Sequence, residues 1–339
     1  MTRLSGLAAI EKRAGLTSFA ALGPLKRGLG TGKVGHAGTL DRFATGLLVV
    51  LVGGYSRLAP YFTALDKRYS ALVRFGSETS TLDPEGEVVA EAPPPSLAKL
   101  ESVLPAFRGP ILQAPPAYSA IHLDGKRAYE RVLAGEEVEM APRPVVIHEL
   151  ELLSYDGRDA RLSVRCSSGT YIRSLARDLA LAAGSRASLA ALERGAIGPI
   201  LLSEAVLPED FEPGRDLRLL DPALAAALGL RPRRLEDPAR RAFQNGGRLS
   251  PRCLSDIEGV AAGARAAVRG SAAADEAAAG AGTSAAAENQ AAAAGAGTSA
   301  VSAAGESLSA VFSGDGAFLG LVREAAESLE YRMVLGGEA

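Results

Sequence analysis

The chain has 339 residues, of which 47% are hydrophobic, and its 37 basic and 39 acidic residues give a formal charge of −2. This length and apolar content suffice for a substantial core in one large domain or two, while the near-neutral charge argues weakly against a nucleic-acid partner. Two isolated cysteines, Cys166 and Cys253, support neither a disulfide framework nor a zinc site, and no stretch has the pattern of a signal peptide or a membrane span. We therefore expect a cytoplasmic protein.

The first informative stretch is GHAGTLDRFATG, residues 35–46, which places Asp41 among small residues just before an apolar run. The run LLVVLV, residues 47–52, predicts a buried strand that holds the preceding loop rigid. The glycines permit close approach of another molecule to the backbone. Asp41 is therefore a candidate functional carboxylate.

Common nucleotide and hydrolase motifs are not satisfied. Gly30, Gly32 and Gly35 fit GxGxxG, but residues 17–29 ahead of them predict a helix where a dinucleotide site needs a strand. A P-loop is excluded because Val34 follows Gly32-Lys33 in place of Ser or Thr. GxSxG and HExxH are absent from the sequence, which excludes the corresponding hydrolase and metalloprotease classes.

Further strands are predicted after the apolar run at residues 47–52. RYSALVRFG, residues 68–76, alternates with Tyr69 on its apolar face, and DPEG, residues 83–86, predicts a turn that makes a hairpin with the next apolar segment. RLSVRC, residues 161–166, alternates in the same way and predicts a further strand.

Two helices are predicted between and after these strands. The spacing of Leu97, Leu100 and Leu104 predicts a helix with Ser96 as its N-cap. A second helix, carrying Ile172, Leu175 and Leu179, is expected to end near Gly184. The mixture predicts an α+β fold with a largely antiparallel sheet.

The C-terminal third contains a low-complexity segment. Residues 261–306 are dominated by Ala, Gly, Ser and Thr and predict a disordered insertion. Beyond it, residues 308–324 predict a hairpin around Ser-Gly-Asp-Gly. We hypothesise that residues 231–255 and 308–336 pair across the insertion into a small β module. Arginines crowd residues 231–252, a pattern that alone is most simply a solvated surface.

Four blocks, in order, resemble the motifs of the TruB-type tRNA pseudouridine-55 synthases. They are KVGHAGTLDRFATGLL (33–48), DKRYSALVRFG (66–76), PPAYSAIHLDGKRAYERVLAG (115–135) and CSSGTYIRSLARDLA (166–180). The resemblance runs from about residue 6 to about residue 195 and extends weakly through AFQNGG at 242–247.

This resemblance implies a pseudouridine-synthase fold of the α+β class, with a central, mainly antiparallel mixed sheet flanked by helices and a small C-terminal β-rich module. It implies a catalytic domain at 1–230 and a PUA-like RNA-binding region at 231–339, interrupted at about 261–306. The implied reaction isomerises the T-loop uridine of tRNA, position 55, by cleaving the N-glycosidic bond and rejoining the uracil through C5. No cofactor or metal is implied, tRNA is the partner, and we expect a monomer.

The resemblance also assigns the central carboxylate. Asp41 matches the family's catalytic aspartate, which either attacks the nucleotide or removes a sugar proton. Arg173 matches the arginine of the family's GTYIR motif. A carboxylate in a base-binding pocket needs such a cation nearby to remain ionised.

Four further residues match substrate-binding positions. Tyr69 offers an aromatic face for a base taken out of its stack, and its hydroxyl is expected to help move the C5 proton. His36 matches a histidine that assists flipping, Tyr171 supports the pocket, and Leu192 matches a leucine that lines it.

Three positions depart from the family pattern. Arg13 and Arg42 stand where proline is usual, and Ser168 stands where a lysine is frequent. Without the proline, the loop after Asp41 is either less stiff or held by a new contact from Arg42. These departures leave two alternatives open: a non-catalytic tRNA-binding or tRNA-folding protein on the same scaffold, and the same chemistry on another RNA or uridine.

Overall fold

The computed structural model describes residues 4–123, 125–257, 259–260 and 307–335. The insertion expected at 261–306 and residue 336 of the expected β module lie outside the described residues.

Short α-helices are distributed among strands of two to thirteen residues. The α-helices are α1 (Gly23–Leu29), α2 (Ala59–Ala64), α3 (Leu97–Val103), α4 (Ala128–Leu133), α5 (Ile172–Ala182), α6 (Pro213–Asp216), α7 (Pro222–Ala227) and α8 (Arg240–Gln244). The strands of the first two thirds are β1 (Gly6–Lys12), β2 (Val34–His36), β3 (Thr45–Val52), β4 (Lys67–Phe75), β5 (Ser77–Thr79), β6 (Val88–Glu91), β7 (Gly109–Gln113), β8 (His122–Leu123), β9 (Lys126–Arg127), β10 (Arg143–Tyr155), β11 (Asp159–Cys166), β12 (Ala187–Ile197) and β13 (Ile200–Leu201). The C-terminal strands are β14 (Arg231–Leu235), β15 (Leu254–Asp256), β16 (Leu308–Phe312), β17 (Phe318–Glu324) and β18 (Leu329–Val334).

The main sheet has nine strands among the described residues, in the order β1-β3-β12-β4-β11-β10-β7, with β2 beside β3 and β13 beside β12. The β3–β12 contact is parallel, and the other pairings of this sheet are antiparallel. The predicted mixed, mainly antiparallel sheet is therefore confirmed.

Strand β3 is buried on both faces, which explains its uninterrupted apolar sequence. Leu47 and Val49 enter a core shared with the C-terminal strands, whereas Leu48 and Val50 pack in a second core with α1. The strand predicted at 47–52 is thus confirmed, and it anchors the Asp41 loop from behind.

The predicted hairpin forms with a different strand. Both edges of β4 are occupied, by β11 and by β12, so residues 88–91 have no edge of β4 to pair with. Gly76 has φ +109° and ends the extended conformation of β4. Residues 77–79 then pair with residues 88–91 across the turn. The turn was predicted correctly, but the prediction that residues 68–76 form the first strand of the hairpin was wrong.

The helix predicted within residues 17–29 forms as α1 at Gly23–Leu29, and the two helices predicted after the strand patterns are also confirmed. The Ser96 hydroxyl accepts a 3.2 Å hydrogen bond from the Lys99 N–H at the start of α3. Helix α5 buries Leu175 and Leu179 against the sheet and ends at Ala182, ahead of Gly184 with φ +74°.

The C-terminal strands form a second sheet in the order β15-β14-β16-β17-β18, with β14 parallel to β16. The predicted pairing across the insertion is confirmed as far as the described residues extend. This sheet shares a core with the first, in which Phe318 meets Tyr55 edge to face at 5.8 Å between ring centroids. No helix in the described part of the chain is long and apolar enough to cross a membrane.

Candidate active site

A cavity of about 560 Å³ opens where the Asp41 loop, strands β4 and β12 and the start of α5 converge. Its lining includes Gly38, Thr39, Leu40, Asp41, Arg42, Lys67, Tyr69, Thr81, Asp83, Glu85, Tyr118, Ser119, Tyr171, Arg173, Leu192 and Arg194. Five of the six site residues expected from the sequence therefore meet here.

Asp41 and Arg173 form a two-point ion pair across 132 residues of sequence. Arg173 Nε donates to Asp41 Oδ2 at 2.9 Å, and Nη2 donates to Oδ1 at 3.0 Å. The Arg173 side chain is 4% exposed, whereas that of Asp41 is 35% exposed. A buried guanidinium thus fixes the plane of a carboxylate that stays accessible from the cavity.

The other nitrogens of Arg173 are also used. Nη1 donates to the Thr81 carbonyl at 2.8 Å, and Nη2 donates to the Tyr118 carbonyl at 3.0 Å. Nη1 also lies 3.5 Å from Oδ2 of Asp83, whose side chain is 6% exposed. Because Arg173 is the second residue of α5, the helix start brings three separate segments to one guanidinium.

A second buried arginine holds the loop that precedes Asp41. Arg194 is 1% exposed and donates from Nε to the Leu47 carbonyl at 2.8 Å. Its Nη1 and Nη2 donate to the carbonyls of Thr39 at 3.2 Å and Gly38 at 3.0 Å. These bonds fix the backbone on both sides of the carboxylate.

The glycine at position 46 is required by this packing. Gly46 pairs with Arg194 in the parallel β3–β12 contact and has φ +107°. A Cβ there would lie 2.5 Å from the Arg194 carbonyl oxygen. The expected close approach at this glycine is therefore made by the protein's own strand rather than by another molecule.

The loop after Asp41 is held by contacts to the segment that contains Arg13. Arg42 Nε donates to the Gly15 carbonyl at 3.0 Å, and the Gly15 N–H donates to the Arg42 carbonyl at 2.9 Å. Lys12 Nζ, on a fully buried side chain, donates to the same Arg42 carbonyl at 3.2 Å. Of the two alternatives left by the missing prolines, the structure shows the new contact from Arg42.

Burial lowers the pKa of Lys12 to about 8. This value includes an opposing effect of the Asp41 charge and a smaller lowering by the Arg194 charge. Burial has the same effect on Lys67 of β4, which lines the cavity and whose pKa is also about 8. Lys67 Nζ donates to the carbonyls of Thr63 and Leu65 near the end of α2.

Tyr69 and Leu192 come from neighbouring strands. Tyr69 lies on β4 and Leu192 on β12, where Leu192 faces Ala71 in the pairing. Burial raises the pKa of Tyr69, although the nearby Arg194 charge opposes the shift. The Tyr69 hydroxyl is therefore a neutral phenol at physiological pH and can donate a proton or a hydrogen bond.

Tyr171 lies at the N-cap of α5, directly before the first helical residue. Its backbone N–H donates to Gln113 Oε1 at 2.8 Å, which ties the helix start to strand β7. Burial raises the pKa of its phenol, although the nearby Arg173 charge opposes the shift. Tyr171 thus supports the wall that carries Arg173.

His36 is the expected site residue that does not line the cavity. It lies on β2, opposite Val50 of β3, and its Nδ1 is buried without a hydrogen-bond partner in the described structure. Burial, followed by the nearby Arg194 charge, lowers the pKa of its imidazole. A neutral His36 therefore lies next to the cavity rather than in its wall.

Sequence reasoning missed three residues of this site. Asp83 was interpreted only as part of the DPEG turn, although it lies in the cavity beside Arg173. Arg194 and Lys67 sit in strands, where the alternating pattern gives no sign that a charged residue points inward. Among the described residues, no group of three or more His, Cys, Asp or Glu side chains lies close enough to share a metal ion.

Comparison with known proteins agrees with this architecture. Residues 26–172 match the family model described as TruB family pseudouridylate synthase, N-terminal domain. The tRNA pseudouridine synthase B of Borreliella burgdorferi (strain ZS7) is 46% identical over 210 residues, covering 61% of this chain and 74% of the relative. The protein of the same name from Synechococcus sp. (strain WH7803) is 42% identical over 271 residues, covering 77% of this chain and 90% of the relative.

One solved structure shows the same fold at low sequence identity. A chain in the structure of an H/ACA RNP bound to a substrate RNA containing 2'-deoxyuridine matches with a TM-score of 0.61 and 18% identity. The match covers 98% of this chain and 85% of the other. The expected α+β pseudouridine-synthase fold is confirmed, and the chain belongs to the TruB family of pseudouridylate synthases.

Proposed function

We propose that this protein converts the T-loop uridine of tRNA, position 55, to pseudouridine, with Asp41 as the catalytic residue. The enzyme class rests on family membership: the chain is an enzyme that isomerises uridine to pseudouridine in tRNA. The position in tRNA and the role of Asp41 are our assignments from the motifs and the cavity.

The geometry of Asp41 carries the proposal. Its carboxylate is bonded at both oxygens by a buried Arg173, yet it is exposed at a cavity that Tyr69 and Leu192 also line. A purely structural ion pair has no need of an accessible acid among groups suited to a nucleobase. The carboxylate then starts the reaction either by attacking the nucleotide or by taking a sugar proton, since both steps need it ionised and within reach.

The other side chains suit a uracil that has left its stack. Tyr69 provides an aromatic face, and Leu192 provides an apolar wall beside it. We assign the Tyr69 hydroxyl to the movement of the C5 proton: the neutral phenol passes its own proton to the uracil, which gains one at N1, as it accepts the proton that C5 loses on rejoining. We assign His36 to the flipping step at the edge of the site and Tyr171 to support of the pocket.

The C-terminal region is proposed to hold the rest of the RNA. We place this PUA-like region at 231–339 and the catalytic domain at 1–230. Some arginines of the 231–252 cluster are used internally, such as Arg233, which pairs with Asp256 at 2.6 Å. Arg234 and Arg241 are exposed and available for phosphate contacts.

Site-resolved mapping of pseudouridine in an unmodified tRNA transcript tests the proposal. The intact protein should modify the T-loop uridine, and a transcript with cytidine at that position should show no pseudouridine at any other uridine. Asp41→Asn should remove the signal while still binding the transcript. Modification confined to a uridine outside the T-loop would overturn the assigned position. Binding by both proteins without modification by either would favour a non-catalytic RNA-binding role.

A further inference from the structure

We propose that Arg42 is a phosphate-binding residue that holds the RNA backbone next to the uridine entering the cavity. This inference rests on the proposed function, because it requires RNA to enter this site. Arg42 directly follows Asp41, lines the same cavity, and has a side chain that is 63% exposed. It is therefore a cation at the point where an incoming nucleotide passes from solvent to the carboxylate.

The guanidinium is held in place before RNA arrives. Arg42 Nε donates to the Gly15 carbonyl, and the Gly15 N–H donates back to the Arg42 carbonyl. Lys12 binds that carbonyl as well, so the backbone beneath the side chain is fixed from two directions. Holding Nε in this way reduces the entropy lost when the side chain meets a ligand.

The two terminal nitrogens remain for a ligand. Within the part of the chain that the structure describes, Nη1 and Nη2 of Arg42 have no hydrogen-bond acceptor. A phosphate oxygen pair matches these two nitrogens, because the guanidinium fork binds phosphate with parallel hydrogen bonds.

The nearest carboxylate does not compete strongly. Glu85 Oε1 lies 3.8 Å from Arg42 Nε, beyond hydrogen-bond distance, and the Glu85 side chain is 45% exposed. An ion pair this open to solvent is weak and can yield to a phosphate.

Arg13 is the matched control. It is 58% exposed and lies on the same segment as Gly15, but its Nη1 already binds Glu209 Oε1 at 2.6 Å. The two arginines thus have similar exposure and charge. They differ in that a terminal nitrogen of Arg13 already pairs with a carboxylate.

The test measures affinity for an unmodified tRNA transcript across a series of KCl concentrations. All proteins carry Asp41→Asn, so that binding is read without turnover, and thermal unfolding confirms that each variant folds. Arg42→Gln should weaken binding about five- to tenfold at 0.1 M salt. It should also reduce the slope of log affinity against log salt by about 0.7 to 0.9, the share of one phosphate contact. Arg13→Gln should leave the slope unchanged.

Arg42→Lys separates charge from geometry. It should keep most of the slope but lose part of the affinity, because an ammonium cannot form two parallel bonds. An Arg42→Gln slope equal to the parent's, or an equal loss in Arg13→Gln, would overturn the inference. If the parent binds RNA while the protein with Asp41 intact makes no pseudouridine, the proposed function fails and the slope comparison still decides the role of Arg42. A parent that binds no RNA would overturn both.

Discussion

The cavity has two buried arginines on different walls, and their surroundings differ. Arg173 on α5 meets two carboxylates, Asp41 and Asp83, in addition to backbone carbonyls. Among the described residues, Arg194 on β12 donates only to carbonyls of the loop around Asp41 and the strand behind it, and its charge also acts on Tyr69.

This difference separates two tasks that a buried cation can perform. Arg173 balances and orients the Asp41 carboxylate, so in the proposed function it acts directly on the chemistry. Arg194 satisfies backbone carbonyls that burial would otherwise leave unbonded, so it determines the shape of the loop. The α5 wall is therefore expected to control reactivity, and the β12 wall to control position.

Replacing Arg173 should have the largest effect. Arg173→Met leaves the buried Asp83 and Asp41, the proposed catalytic residue, without their cation, and we expect conversion to fall about 10²- to 10³-fold. The free energy of unfolding should fall by about 3 kcal/mol, because removing one partner of a buried ion pair leaves the other charge buried and uncompensated. Single-turnover conversion and urea unfolding measure the two effects. Arg173→Lys keeps the charge without the two-point geometry, so its rate should lie between those of the parent and Arg173→Met. An unchanged rate in a folded Arg173→Met protein would contradict the division of tasks.

Arg194→Met should have a smaller effect on rate. The carbonyls of Gly38, Thr39 and Leu47 lose their donors, so the Asp41 loop shifts and conversion should drop about ten- to a hundredfold. Loss of these bonds should cost about 1–3 kcal/mol of unfolding free energy. Affinity for the transcript should stay near that of the parent. A loss of rate larger than that of Arg173→Met would reverse the proposed roles of the two walls.

Two glycines that flank the Asp41 loop, Gly46 on β3 and Gly35 on β2, test the positional role of the β12 wall. Gly46→Ala places a Cβ 2.5 Å from the Arg194 carbonyl oxygen at φ +107°, and we expect a loss of about 2 kcal/mol in unfolding free energy. Gly35→Ala meets no atom within 4 Å and should change stability by less than about 0.5 kcal/mol. Urea unfolding of both proteins checks this. Equal effects would show that β3 and β12 can separate at little cost.

Lys12 supports the same loop with a group that titrates. Its pKa is lowered by burial from 10.5 to about 8, so the folded protein releases this proton at a lower pH than the unfolded chain. Between pH 8 and 10.5 the unfolded state binds more protons, and the unfolding free energy should rise with pH. Lys67, with a pKa also about 8, adds to the rise. Lys12→Met should reduce this rise in urea unfolding measured across the window, and an unchanged rise would contradict the assignment.

Local patterns predicted most of the architecture. The apolar run of β3, the capped start of α3 and the spacing along α5 each follow from neighbours in sequence. The hairpin partner of residues 88–91 was wrong because strand pairing depends on which sheet edges are free, and β11 and β12, both far along the chain, occupy those of β4.

The site was predictable only where a motif carried it. Asp41 and Arg173 lie in motifs, and their ion pair is present, but Asp83 and Arg194 are defined by contacts across the fold. The Arg194 side chain is buried because it caps carbonyls of a loop more than 140 residues away. His36 lies in the same motif as Asp41, yet the pairing of β2 with β3 places it outside the cavity lining.

We propose that the carboxylate held by Arg173 performs the chemistry. A second two-point pair provides the control: Arg74 binds Asp159 at 2.9 and 2.7 Å, on strands β4 and β11 and outside the cavity lining. The decisive measurement is the single-turnover rate of pseudouridine formation at saturating tRNA transcript for Asp41→Asn and Asp159→Asn. We expect no detectable conversion by Asp41→Asn with transcript affinity retained, and a parental rate for Asp159→Asn. Conversion by Asp41→Asn at the parental rate would contradict it.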